Sequence, residues 1–319
     1  MRKIFFFIAV LCCAGVVSAA QFDGLKTITS GGVERQYYLY VPNTLKANSP
    51  IFISCHGMNQ DYQYQKTSQL PWLTLMADTA SFVVVYPVGE AVSGSWGNMS
   101  SGWDMDGMKD VNFMLDIVSD VKANYNIDDT RVYMSGFSLG GAFAYYMAQK
   151  VPDKVAAVVS LSGYDVLGSS VSCSRPMPIF HLHGTGDDVM YYSQVEGYLK
   201  KWRELSNCYS TPVILNNLPC SCGAPSTLAT YSECDCDVEI KLFTVPGVNH
   251  DWTGCRGFES KIWNFCKQYN TSCGKINAEG IESPSLQGRS GEATKKIENG
   301  QLLIDCNGRT YNAQGAEIR

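Results

Sequence analysis

The sequence predicts an α/β fold in which a mostly parallel sheet carries helices on both faces. Strand-like runs alternate with helix-like runs along most of the chain. The composition, 45% hydrophobic and 17% charged over 319 residues, suffices for a full core and suits one α/β domain with appendages. The residues best suited to chemistry fall just beyond the C-terminal ends of strand-like runs, where such sheets place their ligands. Strands are predicted over 35–41, 51–55, 82–86, 131–136, 155–161, 178–183 and 239–245. Helices are predicted near 68–80, 111–125, 139–151, 193–206 and 259–269. The sequence contains no internal repeat.

The most informative segment is Gly136-Phe137-Ser138-Leu139-Gly140, between the β-branched run Arg131-Val132-Tyr133-Met134 and a helix-forming run from Ala142 to Ala148. Strand, sharp turn and helix make a nucleophile elbow, which holds a serine in strained backbone geometry and requires small neighbours. Gly136, Gly140 and Gly141 satisfy that steric demand. A serine capping an ordinary strand-to-helix turn gives a similar pattern, so the reading depends on partners downstream.

With this elbow the expected order is serine, then an acid, then histidine. The chain has four histidines. His56 precedes the serine, and His181 and His183 lie in the apolar run 178–184, which reads as a buried strand. That leaves His250, on the turn-rich segment after the strand predicted at 239–245. The acid belongs on a loop after a strand, where a buried carboxylate fixes the imidazole tautomer. Asp187 and Asp188 both meet that condition. Asp153 and Asp165 come too early, and Asp235 and Asp237 are interleaved with cysteines. For the oxyanion, one amide is that of Leu139, directly after the serine. The other is that of Met58, after the apolar strand ending in His56-Gly57.

Residues 1–20 carry Arg2 and Lys3, an apolar stretch and then Ser18-Ala19-Ala20, the pattern of a secretory signal. That stretch is short for a membrane span and no other qualifies. The expected location is therefore extracellular, periplasmic or cell-surface. The formal charge is −5, and removing 1–20 makes the remainder two charges more negative. Without a basic patch, nucleic acid is not expected as a partner.

Of 13 cysteines, Cys12 and Cys13 lie in the signal, which leaves an odd number. Cys55 and Cys306 are the expected unpaired thiols. Cys220, Cys222, Cys234 and Cys236 have the spacing of a zinc thiolate set. In an oxidising compartment they are expected instead as disulfides stapling a loop insertion over 218–231. After Cys273 the composition turns to Gly, Ser and Glu. The expected organisation is a signal peptide at 1–20, a main domain at 21–273, a linker at 274–295 and a short β-rich tail at 296–319. The ending 311–318 resembles the C-terminal sorting tails of some secreted bacterial proteins.

From about Gly32 to Tyr269 the chain resembles the secreted esterases of carbohydrate esterase family 1, feruloyl and acetylxylan esterases related to polyhydroxybutyrate depolymerases. The resemblance is carried by Ser54-Cys55-His56-Gly57-Met58, Gly102-Trp103-Asp104, Asp110-Val111-Asn112-Phe113, Tyr125-Asn126-Ile127-Asp128, the elbow through Gly141, His183-Gly184-Thr185-Gly186-Asp187 and His250-Asp251-Trp252. It implies an α/β-hydrolase fold with Ser138 as nucleophile, Asp187 rather than Asp188 as acid and His250 as base, and chemistry that requires no metal or organic cofactor. It also implies hydrolysis of acyl esters on plant cell-wall polysaccharide. A feruloyl ester is the expected substrate, with acetylxylan and polyhydroxyalkanoate as the alternatives. Trp96, Trp103, Tyr191, Tyr192 and Trp252 are the expected stacking residues for a phenolic ring or sugar. Val248-Asn249 before His250 departs from the family's more glycine-rich loop.

Overall fold

The computed structural model describes residues 21–95, 97–164, 172–209 and 211–276, and the backbone of three strands between 294 and 312. The expected signal peptide, most of the expected linker and Trp96 lie outside the described residues. The chain divides into a unit ending at Ile276 and a second unit from Asn277 to Arg319.

The first unit is built on a ten-stranded sheet of order β1-β2-β4-β3-β7-β8-β9-β12-β11-β10. Its centre comprises β4 (Val83–Pro87), β3 (Ser49–Cys55), β7 (Ile127–Phe137), β8 (Ala157–Leu161), β9 (Ile179–Gly184) and β12 (Ile240–Val245), all paired in parallel. β3, β4, β8 and β9 are buried at every position, as continuous apolar runs covered on both faces should be.

Antiparallel strands extend both edges. On one side β1 (Phe22–Ser30) pairs with β2 (Val33–Val41), which pairs with β4. The β1–β2 turn is Gly31-Gly32, both at positive φ, the backbone a two-residue primed turn requires. On the other side β10 (Val213–Leu218) and β11 (Ser226–Tyr231) continue outward from β12. The expected loop insertion over 218–231 is thus corrected to the end of a sheet hairpin and its second strand. Its prolines, glycine and cysteines look loop-like locally, but pairing with β12 organises the strand.

The helices differ in how their faces are used. α4 (Leu139–Lys150) is buried at all but its last residue, beside β7 and β8. In α5 (Val195–Leu205), Val195, Leu199 and Trp202 form a single inward stripe at helical spacing. α3 (Lys109–Asn124) buries Val111, Met114, Ile117 and Val121 in the same way. α6 (Glu259–Cys266) and α2 (Trp72–Ala80) complete the longer helices. The helix predicted from 68 begins instead with a short α-turn, α1 (Tyr62–Tyr64), running into a π-helical turn over Gln65–Gln69. A small hairpin, β5 (Glu90–Gly94) and β6 (Gly97–Gly102), precedes α3.

Three disulfides tie the region around β10–β12: Cys208–Cys234, Cys222–Cys255 and Cys236–Cys273. Three of the four cysteines considered for zinc are therefore bridged. Among the described residues Cys55 is unpaired as expected, and Cys173, Cys220 and Cys266 are also free. The side chain of Cys306 lies outside the described residues. In the second unit β13 (Thr294–Glu298), β14 (Gln301–Cys306) and β15 (Arg309–Asn312) form an antiparallel three-stranded sheet.

A buried ion pair fixes the loop leading into α3. Arg35 Nη2 lies 2.8 Å from Asp110 Oδ1 with both side chains 1% exposed, and the guanidinium sits over the Phe113 ring. The other Asp110 oxygen accepts the Asp104 N–H at 2.6 Å. Arg35 Nε also lies 3.3 Å from the part-exposed Glu90 carboxylate, so loss of Asp110 takes away the only fully buried counter-charge that Arg35 has among the described residues. Asp110→Ala should therefore lower unfolding stability by about 3–5 kcal/mol in a denaturant titration. A loss below about 1 kcal/mol would show that the pair carries little of the fold's stability.

Candidate active site

Parallel pairing brings the C-terminal ends of β7, β9 and β12 together, and the predicted chemistry lies on the three loops that follow. β7 ends at Phe137, and Ser138 adopts φ 53°, ψ −120°, a conformation that side chains rarely take. The turn is held because Ser138 N–H donates to the Leu161 carbonyl at 2.9 Å and Ser138 C=O accepts from Ala142 N–H at 2.9 Å. The flanking glycines are dictated by close approach. A Cβ on Gly136 would lie 2.3 Å from the Gly140 carbonyl carbon, and one on Gly140 would lie 2.1 Å from the Cys55 carbonyl oxygen.

Ser138 Oγ lies 2.8 Å from His250 Nε2. His250 Nδ1 in turn lies 3.0 and 2.9 Å from the two oxygens of Asp187. Asp187 is buried, whereas Asp188 beside it is exposed. The structure therefore brings together the serine, the histidine and the first of the two aspartates.

The acid is held from several sides. Asp187 Oδ1 accepts the backbone N–H of Val189 at 3.1 Å and of Met190 at 2.7 Å, and the Ser162 hydroxyl bonds the same carboxylate. Burial alone would raise its pKa. Hydrogen bonds from His250, Met190 N–H and Ser162 outweigh that and bring it down to about 2. The carboxylate thus stays charged to face the imidazole.

The histidine loop is clamped at both ends. Gly247 N–H donates to Thr185 Oγ1 at 2.9 Å, and a Cβ on Gly184 would meet the Val248 carbonyl at 2.1 Å. Beyond His250, Gln69 Oε1 accepts Trp252 N–H and Gln69 Nε2 donates to Asp251 Oδ1, both at 3.2 Å. Gln69 is 1% exposed and ends the π-helical turn, a distortion often found beside functional sites. The sequence reading missed it. Its one signal was a glutamine entering an otherwise apolar helical pattern.

Leu139 is the first residue of α4, directly after Ser138, so its N–H is among the helix's N-terminal donors that have no intrahelical partner, at the positive end of the helix dipole. Met58 follows His56-Gly57 and is 50% exposed. Its turn is braced by His56, whose Nδ1 donates to Gly57 C=O at 2.8 Å and whose Nε2 accepts Gly89 N–H at 3.0 Å.

The expected aromatic platform is only partly available. Trp103 is fully buried, donating to the His56 carbonyl at 2.8 Å and stacking on Phe143. Trp252 is fully buried and donates to Ser162 Oγ at 2.9 Å. Both are corrected from ligand-facing to bracing residues, since each indole fills the core while its N–H finds an acceptor. Tyr192 is half-buried, its hydroxyl 2.9 Å from Thr244 Oγ1. Tyr191 is 57% exposed beside the acid loop.

Burial pushes the pKa of His56, His181 and His183 below the ordinary histidine range. Below about pH 6.5 the unfolded chain takes up protons that these folded rings refuse. Their stabilisation is complete above that pH and is lost as the pH falls toward their folded values. The Tm should accordingly drop between pH 7 and pH 5, before protonation of Asp187 begins. A scan with constant Tm over that interval would contradict this.

A phospholipase/carboxylesterase family profile matches residues 95–214, a span that includes Ser138 and Asp187. The bifunctional acetylxylan esterase/xylanase XynS20E of Neocallimastix patriciarum is 41% identical over 249 residues, 78% of this chain and 35% of that protein. Feruloyl esterase B of Piromyces equi is 26% identical over 203 residues, 56% of this chain and 36% of that protein. The chain thus spans about a third of the length of these curated relatives. Among solved structures, the acetyl xylan esterase from Aspergillus awamori superposes with a TM-score of 0.59 at 16% identity, covering 76% of this chain and 98% of that one. Fold and elbow together define an α/β-hydrolase. Within that class its sequence is similar to the acetylxylan and feruloyl esterases just named.

Proposed function

We propose that the chain is a secreted serine esterase that removes acyl groups, acetyl first, from plant cell-wall xylan. The observation that carries this reading is the continuous line of hydrogen bonds from Ser138 Oγ through His250 to a buried, charged Asp187. In it, His250 Nε2 takes the serine proton as Oγ attacks the ester carbonyl. Asp187 holds the imidazole with its proton on Nδ1 and stabilises the imidazolium. The amides of Leu139 and Met58 receive the oxyanion. His250 then returns the proton to the leaving alcohol, and water attacks the acyl-enzyme by the same route. The expected signal segment and the three disulfides support an exported protein.

Acetyl is favoured over feruloyl for two reasons. The 41% identical relative is named an acetylxylan esterase, and two of the five aromatic residues expected to stack on a phenolic ring are buried in the core. Feruloyl remains the second reading because Tyr191 is exposed beside the acid loop and a feruloyl esterase is among the relatives. The test is a side-by-side kcat/KM for acetylated xylan and methyl ferulate. Acetate release in excess of ferulate release is expected. Ferulate release alone would overturn the acyl assignment. Neither product, together with no labelling by a serine-reactive phosphonate, would overturn the esterase reading.

A further inference from the structure

Behind the acid lies a polar chain that the proposed chemistry does not use. His181 and His183 alternate along β9, so their side chains leave the same face of the strand, and both are fully buried. Tyr145 Oη, on α4, lies 2.9 Å from His181 Nδ1. His181 Nε2 lies 3.0 Å from His183 Nδ1, and the two rings stack 5.2 Å apart. His183 Nε2 lies 2.6 Å from the Met190 carbonyl.

Only one arrangement of protons satisfies this chain. A carbonyl can only accept, so His183 Nε2 carries a hydrogen. Burial pushes both imidazoles toward the neutral form. His183 Nδ1 must then accept from His181 Nε2–H, and His181 Nδ1 must accept from Tyr145 O–H. The other titratable groups facing the pair are Asp187, His250 and Tyr192.

The chain ends on the turn that holds the acid. Met190, whose carbonyl takes the His183 hydrogen, gives its own N–H to Asp187 Oδ1 at 2.7 Å. His183 Nε2 is also 3.4 Å from Asp187 Oδ2. A core that needed only volume at these positions would be filled by apolar side chains without the need for a matched set of donors and acceptors.

We infer that His183, fixed in one tautomer by His181 and Tyr145, is a positioning residue that sets the 187–190 turn so that the Asp187 carboxylate meets His250 Nδ1. The inference rests on the Ser138–His250–Asp187 reading and adds the device that aims its acid. Misplacing a catalytic group by about 1 Å can cost on the order of 100-fold in rate, so the effect belongs in kcat.

Two substitutions separate aiming from filling. His183→Gln can keep an N–H near the Nε2 position, whereas His183→Asn is too short to reach the Met190 carbonyl. In the Asn variant kcat should fall about 10- to 100-fold, with KM changed by less than about threefold. The low-field proton resonance of His250 Nδ1–H should shift or broaden. The Gln variant should recover most of the loss in both readouts. Equal losses in the two variants, or an Asn variant with kcat within about twofold of wild type and the resonance unmoved, would overturn the inference. If the Asn variant does not fold, Tyr145→Phe removes only the far hydroxyl and releases the tautomer of His181. An unchanged kcat and resonance there would equally overturn it. Phosphonate labelling of the wild-type protein is run alongside. No labelling with the low-field resonance present would sink the esterase reading, and the resonance alone would then decide how Asp187 is placed.

Discussion

Replacing Ser138 with alanine should reduce ester hydrolysis by roughly 10⁴- to 10⁶-fold while leaving the protein folded. The chemical half of this expectation follows from the loss of the atom that lies 2.8 Å from His250 Nε2. Without Oγ no acyl-enzyme forms, and only substrate binding and the amides of Leu139 and Met58 remain to assist attack by water. The structural half follows from what alanine keeps. The turn is held by the Ser138 backbone, through Leu161 C=O and Ala142 N–H, and by the bare glycines at 136 and 140. Alanine tolerates the φ of 53° no worse than serine does. An unchanged Tm with no phosphonate labelling is the expected pair of results. Hydrolysis within about tenfold of wild type would show that Ser138 is not the nucleophile.

How much of this was legible in the sequence depends on the range of the interaction concerned. The central strands were readable because burial on both faces demands continuous apolar runs, as in β3, β4 and β9. Edge strands were not. β1 alternates between half-buried and exposed residues and contains a glycine, and β10 is exposed over nearly its whole length. Their pairing partners, not their own composition, make them strands. Ser138 and His250 were legible because chain order and an elbow constrain them. Asp187 and Asp188 could not be separated by position alone, because what divides them is which carboxylate turns inward onto Val189 N–H, Met190 N–H and Ser162. Trp103 and Trp252 were misread for a related reason. An indole on a predicted loop looks available until the acceptor for its N–H, His56 C=O or Ser162 Oγ, is seen inside the core.

The same two residues, Ser162 and Trp252, show how the acid's surroundings are linked. Trp252 N–H bonds Gln69, its indole bonds Ser162, and Ser162 bonds Asp187. The loop that carries His250 and the carboxylate that orients it are thus tied through one short path. Gln69, from the π-helical turn after β3, anchors that path to the side of the sheet that also supplies Met58.

Changing Asp187 to asparagine should cost about 10⁴-fold in kcat/KM, although the replacement is nearly isosteric. The two oxygen positions are not equivalent. Oδ1 faces the N–H groups of Val189 and Met190 and must stay an acceptor, so the new amide nitrogen takes the Oδ2 position. There it lies against His250 Nδ1, 2.9 Å away in the native protein, and donates to it. A neutral imidazole that accepts at Nδ1 carries its proton on Nε2, where it faces Ser138 Oγ as a donor and cannot act as a base. The loss should therefore appear in kcat with KM nearly constant, and phosphonate labelling should slow to a similar degree. Stability separates the charge from the tautomer. Native Asp187, with its pKa held at about 2, contributes stability that is present above about pH 4 and is lost as the pH falls through about 2. The asparagine variant should lack that contribution and its acid dependence. Activity within about tenfold of wild type at neutral pH would mean that His250 keeps its working tautomer without the carboxylate, and that Asp187 is not its orienting partner.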